Sequence, residues 1–171
     1  MKITDASIFI HKAFQQDAAV ERWADLGCGS GTFTYVLANN LKHGSTIYAV
    51  DKVMPRLTST NDVEIKNTKA NIENIAFATK ELDGILMANS LHYIKDKSKL
   101  IKTLTSFLKV NGKFLIVEYD TNKANRWVPF PLPFDELPLL FRNSGFSIID
   151  KIGERSSIFG PQKMYACLIK L

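Results

Sequence analysis

Asp25-Leu26-Gly27-Cys28-Gly29-Ser30-Gly31 closes a short apolar run, Trp23 to Leu26, and opens a stretch in which Phe33, Val36, Leu37 and Leu41 recur at helical spacing. A buried strand that turns into a helix through glycines is the point at which an α/β sheet presents backbone amides to a ligand. Glycine permits the tight turn, and its missing Cβ lets a ligand approach the backbone. The next strand run, Ile47 to Val50, ends in Asp51, twenty residues beyond Gly31, where a carboxylate can accept hydrogen bonds from two ribose hydroxyls. The glycines are spaced GxGxG, and Thr32 stands where the dinucleotide fingerprint GxGxxG has its third glycine, which disfavours a pyrophosphate ligand. Asp25, two residues ahead of the first glycine, suits a cation: it can hold, directly or through water, the ammonium of an amino acid.

Outward from this turn, strand and helix signals alternate. Upstream, Ile10, Ala13, Phe14 and Ala18 share one face of an expected N-terminal helix, about 5–19. Downstream, Pro55 is placed to start a helix near Arg56 to Asn61, ahead of a weak strand around Val63 to Lys66. A strand follows from Leu82 to Asn89, then a helix carrying Leu100, Ile101, Leu104 and Leu108, which Asn111 and Gly112 are expected to end as a turn. Lys113 to Tyr119 is a strand whose unbroken run Phe114 to Val117 suits the centre of a sheet covered on both faces. Arg126 to Phe134 holds Trp127, three prolines and two phenylalanines, an irregular aromatic loop. Asp135 is placed to cap a helix running to Asn143 and ended by Gly145, before closing strands at Phe146 to Ile152 and Met164 to Ile169. Alternation of this kind argues for an α/β fold, an open and mostly parallel sheet of seven strands, in a single domain over 1–171.

The bulk composition excludes several classes. At 171 residues there is room for one domain with a sizeable core, and 46% hydrophobic with 23% charged residues is ordinary globular usage. The net charge of +5 is spread along the chain, so a nucleic-acid partner is possible but not favoured. Cys28 and Cys167 are far apart and no Cys/His cluster has metal spacing, so no metal is expected. No apolar stretch suggests a signal peptide or a membrane span, which makes a cytoplasmic setting with no membrane partner the expectation.

The run Asp25 to Gly31 resembles the first motif of the class I S-adenosylmethionine-dependent methyltransferases: acid, any residue, then three glycines at alternate positions. The resemblance implies a Rossmann-like, doubly wound sheet with helices on both faces and an antiparallel last strand. It implies S-adenosylmethionine as cofactor, with Gly27, Cys28 and Gly29 against its methionyl part, Asp51 on the ribose and Lys52 beside the adenine. The stretch Asn71 to Phe77 looks like the family's third motif, but Asn71 stands where an acid usually binds the adenine amine. An asparagine carbonyl can still accept that hydrogen bond, and Ile72 would offer its backbone amide and an apolar face to the ring, unless it is plain core.

The fourth strand runs into Asn89-Ser90-Leu91-His92-Tyr93, where the family presents groups to cofactor and methyl acceptor. Ser90 and Leu91 replace the prolines common in enzymes that methylate amino groups of bases, which disfavours such acceptors. His92 is a candidate general base, a role histidine suits at neutral pH; the alternative is a packed imidazole with satisfied nitrogens. Tyr93, Arg126 and Trp127 are candidate acceptor contacts, the aromatic loop a candidate lid, and Phe9, His11 and Phe14 further lid or core positions; His43 reads as surface. Methyl transfer to a small-molecule acceptor leads. An RNA or protein acceptor, and a non-catalytic cofactor-binding partner subunit, stay open.

Overall fold

The computed structural model describes residues 2–14, 19–77, 79–156 and 162–171. Seven strands form one sheet: β1 Arg22–Leu26, β2 Thr46–Asp51, β3 Glu64–Lys69, β4 Leu82–Ala88, β5 Leu108–Asp120, β6 Ile148–Ser156 and β7 Lys163–Lys170. Their order is β3-β2-β1-β4-β5-β7-β6; β7 runs antiparallel to both neighbours and the other pairings are parallel. Among the described residues the α-helices are α1 Ile3–Ile10, α2 Thr32–Asn40, α3 Lys97–Thr105 and α4 Leu137–Arg142. This is the expected doubly wound, mostly parallel architecture.

Residues alternate between the two faces of the sheet, and each face carries its own core. Trp23, Ile47, Ala49, Leu86, Leu115 and Val117 pack beneath α1 and α2. Ala24, Leu26, Val50, Ile85, Met87, Phe114 and Ile116 pack on the other face with the apolar sides of α3 and α4. The run Phe114 to Val117 therefore feeds both cores, as a continuous apolar strand at the centre of a covered sheet must. No helix among the described residues is long and apolar enough to cross a membrane.

Several local expectations are corrected. The N-terminal helix stops at Ile10 and tightens into a 3-10 turn, His11–Ala13, before Phe14 turns extended; 15–18 of the expected span lie outside the described residues. No helix forms after Pro55. The Asn67 side chain takes both backbone groups of Leu57, donating to its C=O at 2.8 Å and accepting from its N–H at 3.2 Å, and Asn61 and Asp62 both sit at φ 53 in a tight turn. Leu108, Asn111 and Gly112 belong to β5 rather than to a helix end. Helix α3 ends earlier, where the hydroxyls of Thr103 and Thr105 bond back to the carbonyls of Lys99 and Ile101. The β4–β5 register then jumps from Leu82 opposite Leu108 to Gly84 opposite Lys113, an irregularity in which a Cβ on Gly112 would meet that of Leu108 at 2.7 Å. Asp135 makes no helix cap: it lies inside a 3-10 turn, Phe134–Glu136, that precedes α4.

Candidate functional site at the carboxyl ends of β1, β2 and β4

Placing β1 at the centre, with β2 on one side and β4 on the other, brings three strand ends together where successive connections leave in opposite directions. Ligands bind there in open α/β sheets. The glycine turn folds back on the sheet, with the N–H groups of Gly27 and Cys28 both donating to the Val50 carbonyl, at 2.8 and 3.1 Å. All three glycines of the turn, Gly27, Gly29 and Gly31, adopt positive φ. Their surroundings differ in a way the spacing does not reveal. A Cβ on Gly27 would meet Ser90 at 2.5 Å and one on Gly31 would meet Leu57 at 2.5 Å, whereas Gly29 has no atom within 4 Å in that direction. Gly27 and Gly31 let the turn pack against its neighbours, and Gly29 opens onto the cleft.

Asp51 is already held in place. Its carboxylate accepts from the N–H of Gly29 at 3.0 Å and from the N–H of Val53 at 3.0 Å. Two donors leave further lone pairs for hydroxyl groups. A cleft of about 460 Å³ begins here, lined by Gly29, Ser30, Asp51, Val53, Met54 and the loop through Leu57. That loop, 53–57, is the lining that sequence reasoning missed, because its apolar residues lack any period.

Asp25 lies under the turn, buried, and accepts a 2.6 Å hydrogen bond from the Thr34 hydroxyl at the start of α2. Burial pushes its carboxyl up to about 7, against the Thr34 bond and helped by the charge of Asp51. Burial, with the nearby Asp25 and Asp51, pushes the Cys28 thiol up to about 12. At the end of β4, Asn89 adopts φ 55, and its side-chain Oδ1 is buried with no hydrogen-bond partner among the described residues. Ser90 anchors this corner to β1 by donating to the Leu26 carbonyl at 2.6 Å.

Beyond Asn89, His92 is buried. Glu118, at the end of β5, receives its backbone N–H at 3.1 Å and pairs with its ring Nδ1 at 2.6 Å. The His92 ring packs on Tyr93 at 4.3 Å and Tyr119 at 5.9 Å, and Lys52 reaches over the exposed Tyr93 ring at 5.8 Å. The aromatic loop docks on this corner: Phe130 N–H donates to the His92 carbonyl at 3.0 Å, and Lys97 Nζ donates to the Phe130 carbonyl at 2.8 Å. Trp127 is 70% exposed, with the Arg126 guanidinium 5.4 Å from its ring.

The fold thus gathers Gly27, Cys28, Gly29, Asp51, Lys52, Asn89, His92 and Tyr93, with Asp25 beneath them. The Asn71 side chain caps a 3-10 turn after β3 by accepting from Glu73 N–H at 3.0 Å, and Ile72 is half-buried against the core that includes the apolar side of α3. Phe9 is core, Phe14 packs on Trp23 at 6.0 Å, and His43 is exposed beside Asp62.

A family model described as a methyltransferase domain matches residues 4–150. The chain belongs to the class I S-adenosylmethionine-dependent methyltransferases. Over 89 residues, 52% of its length, this methyltransferase domain is 28% identical to the ubiquinone/menaquinone biosynthesis C-methyltransferase UbiE of Haemophilus ducreyi, of which the match spans only 30%. Among solved structures, it resembles the 1,6-didemethyltoxoflavin-N1-methyltransferase of Burkholderia thailandensis, at TM-score 0.72 and 19% identity over 98% of this chain and 77% of that one. A methyltransferase of Aquifex aeolicus matches at TM-score 0.66 and 15% identity, over 98% of both chains. These likenesses establish the shared fold.

Proposed function

We propose that this methyltransferase domain transfers the methyl group of S-adenosylmethionine to a small-molecule acceptor. The observation that carries the cofactor assignment is the direct bond between Gly29 N–H and the Asp51 carboxylate beside an open cleft. It joins a backbone amide at the end of β1 to a carboxylate at the end of β2, the two groups an adenosyl amino acid would bridge. Asp51 would hold the ribose, Gly27, Cys28 and Gly29 the methionyl part, and Lys52 the adenine side. The exposed Val53 and Met54 offer an apolar wall for the adenine ring; Asn71 and Ile72 would approach it from the 3-10 turn after β3. The orphaned Oδ1 of Asn89 fits a donor carried by a ligand, and the cofactor's ammonium is one; Asp25 below the turn would add charge. A buried acceptor atom without a partner costs about 1–3 kcal/mol, which such a donor would recover.

The small-molecule reading rests on the acceptor side. Tyr93, Trp127 and Phe130 present aromatic surface near the strand ends, Arg126 adds a positive charge, and the loop carrying them is tied to the His92 turn. UbiE and the toxoflavin methyltransferase are named for small-molecule acceptors, which is compatible with this reading. Isothermal titration with S-adenosylhomocysteine tests it: we expect saturable binding that Asp51→Ala weakens by about 1–3 kcal/mol, the usual loss for a charge-assisted hydrogen bond. No binding to folded wild-type protein would remove the proposal, and unchanged affinity in the variant would remove Asp51 from the site.

A further inference from the structure

The pair formed by His92 and Glu118 goes beyond what cofactor binding requires. Both side chains are almost fully buried, at 3% and 1% exposure, and they come from the 3-10 turn that follows β4 and from the adjacent strand β5. Glu118 cannot turn away, because one oxygen accepts the His92 backbone N–H while the other faces ring Nδ1 at 2.6 Å. The tyrosine rings of Tyr93 and Tyr119 flank the imidazole, so it is held in orientation as well as in place. A neutral ring whose Nδ1 donates to this carboxylate carries its lone pair on Nε2.

We propose that His92 Nε2 removes a proton from the methyl acceptor, with Glu118 as its positioning residue, and that the acceptor is therefore of a class that must lose a proton: a phenol, an enol or a ring N–H. This rests on the methyl-transfer reading above. In the step, the acceptor atom forms a bond to the methyl carbon while the carbon–sulfur bond breaks, its electron pair staying on sulfur to leave a neutral thioether. The acceptor's proton goes to Nε2. The resulting imidazolium faces the Glu118 carboxylate, which compensates the new charge where solvent is scarce. An acceptor that attacks as a thiolate or through a free lone pair has no proton to give and no need of this pair.

Asparagine separates a structural role from a chemical one, because its amide nitrogen occupies the place of Nδ1 and keeps the bond to Glu118 while Nε2 is lost. With S-adenosylmethionine as donor, 1-naphthol, catechol and lumazine supply the proton-carrying probes, and thiophenol and pyridine the others. We expect turnover confined to the first group and lowered at least about 100-fold in His92→Asn, the usual worth of a positioned base. Homocysteine-product binding and thermal stability should be retained in that variant. Wild-type turnover of thiophenol or pyridine at comparable rates, or undiminished turnover in His92→Asn, would overturn the proposal while leaving cofactor binding intact. Failure of S-adenosylhomocysteine to bind would instead strike the reading it rests on. Nitrogen-15 histidine spectra at pH 7.5 decide independently of any acceptor: we expect His92 protonated at Nδ1 with Nε2 pyridine-like, a pattern that Glu118→Gln perturbs. A proton on Nε2 with a bare Nδ1 overturns it.

Discussion

Asp25 is a buried carboxyl whose charged form the folded protein disfavours. It is buried beneath the glycine turn with the Thr34 hydroxyl as its donor, and burial holds its carboxyl at about 7 instead of the ordinary 3.8. The folded chain therefore binds that proton more tightly than the unfolded chain. Below about pH 4 both states are protonated and the group is neutral in its effect; between about 4 and 7 the unfolded state ionises first, and stability falls as pH rises. The full shift corresponds to roughly 4 kcal/mol at pH 8, at about 1.36 kcal/mol per unit. Asp25→Asn should accordingly raise stability in denaturant titrations at pH 8 and leave it nearly unchanged at pH 3.5, while weakening S-adenosylhomocysteine. Equal effects at both pH values would show that burial does not raise the Asp25 carboxyl.

At the scale of elements, the close approach of β1 and β4 governs how the site is assembled. Trp23 fills the face of β1 that looks toward α1 and α2, and Gly84 on β4 leaves the room: a Cβ there would lie 2.5 Å from the indole ring. The ring is further fixed by its N–H, which donates to Glu21 at 2.7 Å, and by Lys113 Nζ at 5.3 Å from its face. A rigid, fully buried ring cannot yield cheaply, so Gly84→Ala should destabilise the protein by about 1–3 kcal/mol, the usual cost of overpacking. Chemical denaturation measures this; a neutral result would mean that β4 shifts away from β1 without loss. Because Ser90 ties the end of β4 to Leu26 at the glycine turn, such a shift should also lower cofactor affinity.

For the whole molecule, the proposed ligand would touch loops after β1, β2 and β4, three strands whose order in space is not their order in the chain. A ligand spanning them favours the folded state alone, so saturation acts on global stability. At a hundredfold excess over Kd, S-adenosylhomocysteine should contribute about 2.7 kcal/mol. For a chain of this size that corresponds to a rise in Tm of roughly 5 to 10 °C by calorimetry, and Asp51→Ala should reduce the rise. A ligand that binds yet leaves Tm unchanged at saturation would be binding the unfolded chain equally well.

Much of this was legible before any coordinates. The α/β alternation, the glycine turn and Asp51 follow from local pattern, because strand and helix periods, glycine's conformational range and the end of an apolar run are properties of neighbouring residues. Tertiary packing decided the rest. The segment after Pro55 is extended because Asn67, ten residues away, takes the hydrogen bonds a helix would have used. Leu108 to Gly112 joins β5 because Leu108 pairs with Leu82 on β4. Glu118 became a partner of His92 only when β5 was laid beside β4, and Asn89 acquired an unsatisfied oxygen only when the strand end was buried. Sequence periodicity reports which face of an element is apolar. Which polar groups meet across strands 26 residues apart depends on register and crossover, and those are settled by the packing of the entire sheet.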